Sequence, residues 1–348
     1  MKILEIVGAR PQFIKAGVVS KLFRREKNIT DIILHTGQHY DDNMSKIFFD
    51  ELDIPKPRYN LNVGSGTHGK QTALILEGIE QVLIEEKPDW VLVYGDTNST
   101  VAGSLAASKL HIKVAHIEAG LRSFNRDMPE EINRITTDHI SDILFAPTIN
   151  AMDLLEKEGL KNRSHFSGDV MFDSVLHYQN VAEKKYKLRN ITNLENYYLA
   201  TVHRQENTDD NNKLQNLFTA FSNLDLPVLI PLHPRTKKLI TNIKFNDNIK
   251  IIEPVSYLEM LLLLKNSKKV FTDSGGLQKE AYFLKKPCIT LRNETEWIET
   301  LENNWNFIVG TDVDLILAKS KEQPSENQKN SFGDGKAGEK IVNFIKHS

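Results

Sequence analysis

The 348 residues of the chain are enough for roughly two domains of about 150 residues each, so a single compact unit is not expected. A composition of 40% hydrophobic, 26% charged and 8% aromatic residues excludes collagen-like, disordered and membrane-bundle proteins. Lysine and arginine number 44 against 46 acidic residues, and the resulting net charge of -2 offers no general attraction to nucleic acid or to a membrane, so we expect neither as a partner.

Short apolar segments alternate with longer amphipathic segments along the chain. This alternation predicts parallel strands joined by helices, because a strand buried on both faces reads as a continuous apolar run. The predicted strands are, in order, KILEIV, DIILHTG, DWVLVYGD, KVAHIEAG, DILFAPT, YYLATVHR, PVLIPLHP, IKIIEPV, KKVFTDSGG, KPCITLRN and NFIVG. A charged stretch between Asp173 and Asn196 interrupts the series, and a polar loop precedes a last helix at IVNFIK. We predict an α/β protein with two Rossmann-like doubly wound domains and a boundary near residue 170.

Carboxylates follow the predicted strands of the first half, at the sheet edge where parallel α/β proteins bind ligands. Asp96 follows WVLVYG, Glu118 follows VAHI, and Glu130 with Glu131 follows a proline. A carboxylate that faces a cleft is costly unless it is paired or used, so these acids predict general acid/base chemistry. The alternative for Glu130 and Glu131 is the first turn of a helix, paired with Arg134.

Cationic side chains also follow strand ends, in both halves of the chain. Arg10 and Lys15 follow the first strand, and either is a candidate ligand contact or an ordinary surface charge. His203 and Arg204 directly follow YYLATV, where a lone histidine is more often structural. Further candidates are Arg122 with Arg126, His233 with Arg235, and Arg292 in LRNETEW. Together these cations predict a local site that suits a pyrophosphate.

The segment TDSGGLQKEA is the sharpest local signal. A strand ends at Thr272, a helix begins near Gly276, and the small residues Ser274, Gly275 and Gly276 form the turn. Backbone N–H groups in such a turn approach a phosphate closely, and the helix N-terminus adds partial positive charge. We predict a diphosphate-binding turn, with Glu280 one turn later as an acceptor for ribose hydroxyls. A tight strand-to-helix turn and a solvated glutamate are the alternatives.

Several features bear on compartment and cofactor. A single cysteine, Cys288, excludes an intrachain disulfide, and the opening segment MKILEIVGAR lacks the pattern of a signal peptide. The longest apolar run spans only residues 260–264, so we expect a cytoplasmic protein. GSGTHG fits a dinucleotide fingerprint, but it follows no buried strand, and no metal-ligand spacing is visible. We therefore expect no cofactor.

Eight ordered motifs resemble those of the non-hydrolysing UDP-N-acetylglucosamine 2-epimerases. They are GARPQFIK, TGQH, VYGDTNST, HIEAGLRS, PEEINR, GDVMFDS, VHRQEN and TDSGGLQKEA, and they extend over nearly the whole chain. The resemblance implies a glycosyltransferase-B-like arrangement, a homodimer, and the use of neither NAD nor a metal. It also implies that residues 1–170 with a returning C-terminal helix, 335–348, form one domain, and that residues 171–334 form the UDP-binding domain.

The resemblance assigns roles to residues already selected at strand ends. The catalytic residues of the family correspond to Asp96, Glu118, Glu130 and His203. The UDP-binding residues of the family correspond to Arg10, Lys15, Ser274, Gly275, Gly276 and Glu280, and we add Arg204 to the predicted UDP contacts because it directly follows a strand. Residues that stay possible members of the site are Glu131, Arg122, His233, Arg235 and Arg292.

The implied reaction interconverts UDP-GlcNAc and UDP-ManNAc by elimination and re-addition of UDP through a 2-acetamidoglucal. One departure concerns the substrate: where the family typically reads Thr-Thr-Glu-Arg, this chain reads Glu294, Thr295, Glu296 and Trp297. Together with GTHGK, this resembles the branch that acts on UDP-2,3-diacetamido-2,3-dideoxyglucuronic acid, for which Arg122 or Arg126 is a candidate contact to the C6 carboxylate. A retaining glycosyltransferase, a hydrolysing epimerase and a UDP-sugar sensor are the alternatives of other classes.

Overall fold

The computed structural model describes residues 1–38, 49–232 and 234–348. These residues form two units, one made of Met1–Ser174 with Asn330–Ser348 and the other of Val175–Lys329. Within the described residues, no helix is both long and apolar enough to span a bilayer.

The N-terminal unit is built on a seven-stranded sheet of the described residues, in which every neighbouring pair is parallel. The order across the sheet is β3-β2-β1-β4-β5-β6-β7. The strands are β1 (Lys2–Val7), β2 (Thr30–His35), β3 (Tyr59–Asn60), β4 (Trp90–Tyr94), β5 (Lys113–Ile117), β6 (Ile143–Ala146) and β7 (Ser164–Phe166). The helices are α1 (Arg10–Phe23), α2 (His68–Glu86), α3 (Asn98–Lys109), α4 (Pro129–Ile140) and α5 (Ile149–Lys157), with a 3₁₀ turn at Lys161–Arg163.

Burial explains why these segments form central strands. Successive residues such as Ile3 and Leu4 are both fully buried, so side chains pack on both faces of the sheet. The chain leaves β1 toward β2 and later returns to β4 on its other side, which places the topological switch point between β1 and β4. Gly8 follows β1 there, and a Cβ on it would lie 2.1 Å from Ser99 Oγ, so only glycine lets α3 approach this strand end.

The C-terminal unit repeats this architecture with six parallel strands, in the order β10-β9-β8-β11-β12-β13. They are β8 (Tyr198–Thr201), β9 (Val228–Pro231), β10 (Ile249–Ile252), β11 (Val270–Thr272), β12 (Cys288–Thr290) and β13 (Asn306–Ile308). The switch point lies between β8 and β11. Helix α6 (Val170–Lys185) leads into this unit. The α-helices that follow are α7 (Gln205–Thr208), α8 (Asn211–Ser222), α9 (Pro234–Leu239), α10 (Tyr257–Asn266), α11 (Gly275–Phe283) and α12 (Val313–Lys321). Two 3₁₀ segments lie at Leu188–Asn190 and Ile298–Asn304. The predicted fold class, two Rossmann-like doubly wound sheets, is confirmed.

The last helix, α13 (Ala337–Lys346), belongs to the N-terminal unit and packs against α1. Asp173 binds its N-terminus by accepting hydrogen bonds from the N–H groups of Ala337 at 3.0 Å and Gly338 at 2.8 Å. Burial raises the pKa of Asp173 to about 6, although the two backbone bonds oppose that rise. The C-terminal segment is therefore held by a carboxylate that titrates well above its usual range.

Candidate active site

Asp96 and Glu118 lie beyond the carboxyl ends of the adjacent parallel strands β4 and β5. Asp96 is half-buried, and its Oδ2 accepts a hydrogen bond from Arg134 Nη1 at 3.0 Å. Desolvation raises the pKa of Asp96, whereas the charges of Arg134 and Lys15 oppose that rise. The site therefore holds a carboxyl group that takes up a proton more readily than an exposed aspartate does.

Glu118 has the left-handed backbone conformation that usually favours glycine, with φ of +73°. Its N–H and that of Ala119 both donate to the carbonyl of Phe145 at 3.1 Å, which stabilises this turn. The Glu118 side chain forms an ion pair with Lys15 on α1, and both side chains are about nine-tenths buried or more. Strain of this kind is found at functional sites, where the surrounding structure holds the residue in place.

The two glutamates at the start of α4 have different environments. Glu131 is fully buried and accepts hydrogen bonds from Ser123 N at 2.9 Å, Phe124 N at 3.0 Å and Arg134 Nε at 3.2 Å. Glu131 thus fixes the loop that follows Glu118. Glu130 is exposed, so of the two it is the carboxylate that a ligand can reach.

Gln12 on α1 ties the end of β1 to the end of β4, and sequence reasoning missed it. Its Oε1 accepts from Gly8 N at 2.8 Å and Ala9 N at 3.0 Å, while its Nε2 donates to the carbonyl of Tyr94 at 2.6 Å. This side chain bridges the switch point and leaves Arg10, at the start of α1, exposed. The glutamine in the motif GARPQFIK was the feature of the sequence from which this role could have been predicted.

In the C-terminal unit, the turn between β11 and α11 has the geometry of a helix N-terminus. Ser274 caps α11, because its Oγ accepts from Leu277 N at 3.3 Å. Among the described residues, the only atom within 4 Å of a Cβ built on Gly276 is Ser274 Oγ, at 3.9 Å. The first turn of α11 therefore presents open backbone at Gly276, which is what close approach of a phosphate requires.

Asp273 orients His203, and it was not selected from the sequence although it lies inside TDSGG. It is fully buried, and its Oδ2 accepts from the N–H groups of His203 and Arg204 at 3.0 Å each. Its Oδ1 lies 3.2 Å from His203 Nδ1, while the imidazole is 53% exposed. Nδ1 thus faces the carboxylate, and Nε2 is left for a ligand.

Arg292 and Trp297 border the first turn of α11. A Cβ on Gly275 would lie 3.5 Å from Glu296 Oε2, 3.7 Å from Trp297 Nε1 and 3.8 Å from Arg292 Nη1. Arg292 donates to both oxygens of Glu296 at 3.0 Å, and among the described residues its buried Nε has no hydrogen-bond partner. Burial raises the pKa of Glu296, but these bonds outweigh it and hold the carboxyl ionised.

A positive charge stands beside Trp297 even though this residue replaces an expected arginine. The ammonium of Lys279, on α11, lies 3.7 Å from the centroid of the Trp297 ring. Glu280, the next residue of the helix, is 8% exposed. A cation is therefore present beside position 297 although the expected arginine is absent.

The structure does not present the predicted cation Arg122 as a ligand contact, and it leaves His233 and Arg235 untested. Arg122 has a side chain only 1% exposed and bound to Asp138 and Glu158, so it does not reach a sugar carboxylate. His233 lies outside the described residues, and Arg235 lies on α9 with its side chain undescribed. In the described part of the chain, no three His, Cys, Asp or Glu side chains are grouped to hold a metal ion.

Comparison with known proteins shows similarity over the whole chain. A sequence model of the family UDP-N-acetylglucosamine 2-epimerase matches residues 21–346. A Methanococcus maripaludis protein called UDP-N-acetylglucosamine 2-epimerase homolog is 55% identical over 100% of both chains, and the UDP-2,3-diacetamido-2,3-dideoxy-D-glucuronate 2-epimerase of Pseudomonas aeruginosa is 48% identical over 99% of both. The crystal structure of Methanocaldococcus jannaschii UDP-GlcNAc 2-epimerase in complex with UDP-GlcNAc and UDP covers 100% of both chains, with 47% identity and a TM-score of 0.89.

Proposed function

The chain belongs to the UDP-N-acetylglucosamine 2-epimerase family, and from that premise we propose that it interconverts UDP-GlcNAc and UDP-ManNAc. The family and the fold class that the motifs imply, including the glycosyltransferase-B-like epimerase fold, are confirmed. The activity is that of an isomerase. The observation that carries the proposal is the pair of carboxylates, Asp96 and Glu118, at the ends of adjacent parallel strands, with Lys15 and Arg134 bound to them.

The chemistry explains why several carboxylates are needed. The C2 proton of a hexosamine is not beside a carbonyl, so a side-chain base of ordinary pKa does not remove it directly. When the C1–O bond breaks, UDP leaves with the electron pair, C1 gains cationic character and the C2 proton becomes acidic. A carboxylate takes this proton, and a double bond forms between C1 and C2 to give 2-acetamidoglucal.

The return step completes the inversion. A carboxylic acid on the opposite face protonates C2 while the diphosphate oxygen of UDP attacks C1, so atoms and charges balance over the cycle. Two faces require at least two acid/base groups, and Asp96, Glu118 and Glu130 are our candidates. The raised pKa of Asp96 suits a group that alternates between acid and base.

We assign the diphosphate and ribose contacts of UDP to the C-terminal unit. The N–H groups of Ser274, Gly275 and Gly276 would bind the diphosphate at the start of α11, and His203 Nε2 would stabilise negative charge as UDP leaves. Glu280 would accept from the ribose hydroxyls. Arg10, Lys15 and Arg204 complete the proposed set of contacts.

The diacetamido-glucuronate is the second candidate substrate, and the relative from Pseudomonas aeruginosa supports it. The burial of Arg122 removes one of the two cations predicted to bind its C6 carboxylate, which leaves Arg126. The ratio of kcat/KM values for the two UDP-sugars decides between them. A ratio above about a hundredfold in favour of the uronate, roughly 2.7 kcal/mol of transition-state discrimination, would reverse our assignment.

We further propose that the protein acts in the cytoplasm as a homodimer that uses neither NAD nor a metal. The division into domains at residues 170 and 335 stays a prediction. Sedimentation of the purified enzyme tests the dimer, and activity after treatment with a chelator tests the metal independence.

The elimination route is tested by incubating the enzyme with UDP-GlcNAc in deuterium oxide and following C2 by NMR. We expect solvent deuterium at C2 of the epimerised product and a trace of free UDP with 2-acetamidoglucal. Epimerised product without solvent label would contradict the route. Release of free sugar would indicate a hydrolysing enzyme, transfer to an acceptor a glycosyltransferase, and binding without turnover a sensor.

A further inference from the structure

A buried histidine links the ends of β4 and β5, where Asp96 and Glu118 lie. His116 is fully buried, and its Nε2 lies 2.7 Å from the carbonyl oxygen of Gly95. The Gly95 N–H in turn donates to the carbonyl of Ile117 at 2.9 Å. The residue before Asp96 is therefore held by hydrogen bonds to β5 through both its carbonyl and its N–H.

The other side of His116 faces a buried carboxylate. His116 Nδ1 lies 2.7 Å from Asp138 Oδ1, and Asp138 Oδ2 binds Arg122 Nη1 at 2.7 Å and the N–H of Gly120 at 3.1 Å. Arg122 is held in turn by both oxygens of Glu158, at 2.7 and 2.8 Å. Asp138 thus anchors the turn after Glu118 as well as the histidine behind Asp96.

The hydrogen-bond partners determine where the protons of His116 lie. The carbonyl of Gly95 only accepts, so Nε2 carries a proton. Burial raises the pKa of Asp138, but the hydrogen bond from His116 and the charge of Arg122 outweigh it and lower the pKa below its usual value. Asp138 is therefore an ionised acceptor that faces Nδ1 of the ring.

His116 also acts electrostatically on Asp96, together with groups from other elements. Arg134 and Glu130 act from α4, Lys15 from α1 and His116 from β5. Three of these four groups favour ionised Asp96, and Glu130 disfavours it. Unlike Lys15 and Arg134, which contact a catalytic carboxylate directly, His116 acts only through the backbone and through its charge.

We propose that His116, held between Asp138 and the carbonyl of Gly95, is a positioning residue of the epimerase reaction that fixes the Gly95–Asp96 turn and acts electrostatically on Asp96. The proposal rests on the proposed function, because it assigns Asp96 to the acid/base set. An ordinary buried polar network would only stabilise the fold, so the test needs measurements that a loss of stability does not change.

The variant His116→Gln is the sharpest probe, because a glutamine amide still donates to the carbonyl of Gly95 but carries no charge. We expect kcat to fall on the order of tenfold to a hundredfold, with KM and the Kd for UDP within about twofold of the wild type. We also expect one limb of the kcat–pH profile to move to higher pH, on the order of 0.5 pH unit, because the electrostatic effect by which His116 lowers the pKa of Asp96 is lost. His139→Gln is the matched control, since the side chain of this exposed histidine contacts Glu158 Oε2, at the far end of the network from Gly95.

An unchanged kcat and profile in folded His116→Gln would overturn the proposal, and so would a loss of kcat that matches the loss of folded protein. If His116→Gln does not fold, Asp138→Asn is judged by the same two criteria. Wild-type protein that epimerises no UDP-sugar would refute the proposed function. An active wild type with an unchanged variant would refute only the positioning role.

Discussion

Replacement of Asp273 by asparagine tests how the C-terminal unit orients His203. Asp273 Oδ2 accepts from two backbone N–H groups at 3.0 Å and from Asn207 Nδ2 at 3.2 Å, and Oδ1 faces His203 Nδ1 at 3.2 Å. An asparagine whose oxygen takes the Oδ2 position keeps the first three bonds without the charge. Its NH2 group then faces Nδ1 in place of the carboxylate oxygen, so the contact that orients the ring changes.

The expected magnitudes follow from these contacts. A hydrogen bond to a charged acceptor exceeds a neutral one by about 1 kcal/mol, so three weakened bonds predict a loss of about 2–3 kcal/mol in the free energy of unfolding. The imidazole also loses the carboxylate that orients it through Nδ1. We therefore expect kcat to fall on the order of tenfold to a hundredfold.

Urea unfolding, steady-state kinetics and UDP calorimetry on Asp273→Asn measure these effects. Asp225→Asn is the control, because Asp225 is an exposed aspartate that precedes β9 at the opposite edge of the same sheet. Among the described hydrogen bonds, its side chain accepts only from Tyr198 Oη, at 2.8 Å. If Asp273→Asn matches the wild type in both stability and kcat, the orienting role is wrong. If stability falls and kcat does not, Asp273 is structural and His203 does not depend on it.

Three further predictions concern Gly276, the pair Glu130 and Glu131, and Asp173. Gly276→Ala should leave stability unchanged, because its Cβ would meet no protein atom nearer than 3.9 Å in the described chain. The same variant should weaken UDP binding about tenfold or more by calorimetry, since the methyl group occupies the space that a phosphate needs. Gly69→Ala is the control because Gly69 is equally open, and unchanged affinity in Gly276→Ala would place the diphosphate elsewhere. Glu131→Gln should lower the free energy of unfolding in urea by about 2–3 kcal/mol, because it weakens the hydrogen bonds that Glu131 accepts from the loop and from Arg134. Glu130→Gln should keep its stability and lose turnover on the order of a hundredfold. The reverse pattern would exchange the two roles. The folded state binds a proton at Asp173 more tightly than the unfolded chain does, so the contribution of Asp173 to stability is greatest below about pH 4 and declines as pH rises to about 6. Asp173→Asn should flatten this part of the plot of unfolding free energy against pH. Parallel plots for the wild type and the variant would contradict the raised pKa.

The general fold and the position of the site could be predicted because both depend on local patterns. Strands buried on both faces read as apolar runs, and polar residues directly after them must lie at the carboxyl edge of a parallel sheet. Asp96, Glu118 and Ser274 were found in this way, and the structure places each of them at a strand end. Their catalytic and binding roles stay predictions that the experiments above test.

The amino-acid sequence alone determined the two doubly wound sheets, the family and the strand ends that carry charged residues, since all of these follow from residues close together in the chain. The partner of each charge depended on the folded structure. Glu131 and not Glu130 is buried, Arg122 binds Asp138 and Glu158 in place of a ligand, and Asp273 turns inward to His203. These contacts join residues that lie on different elements or far apart along the chain, and such pairings depend on distances in space that no local pattern encodes.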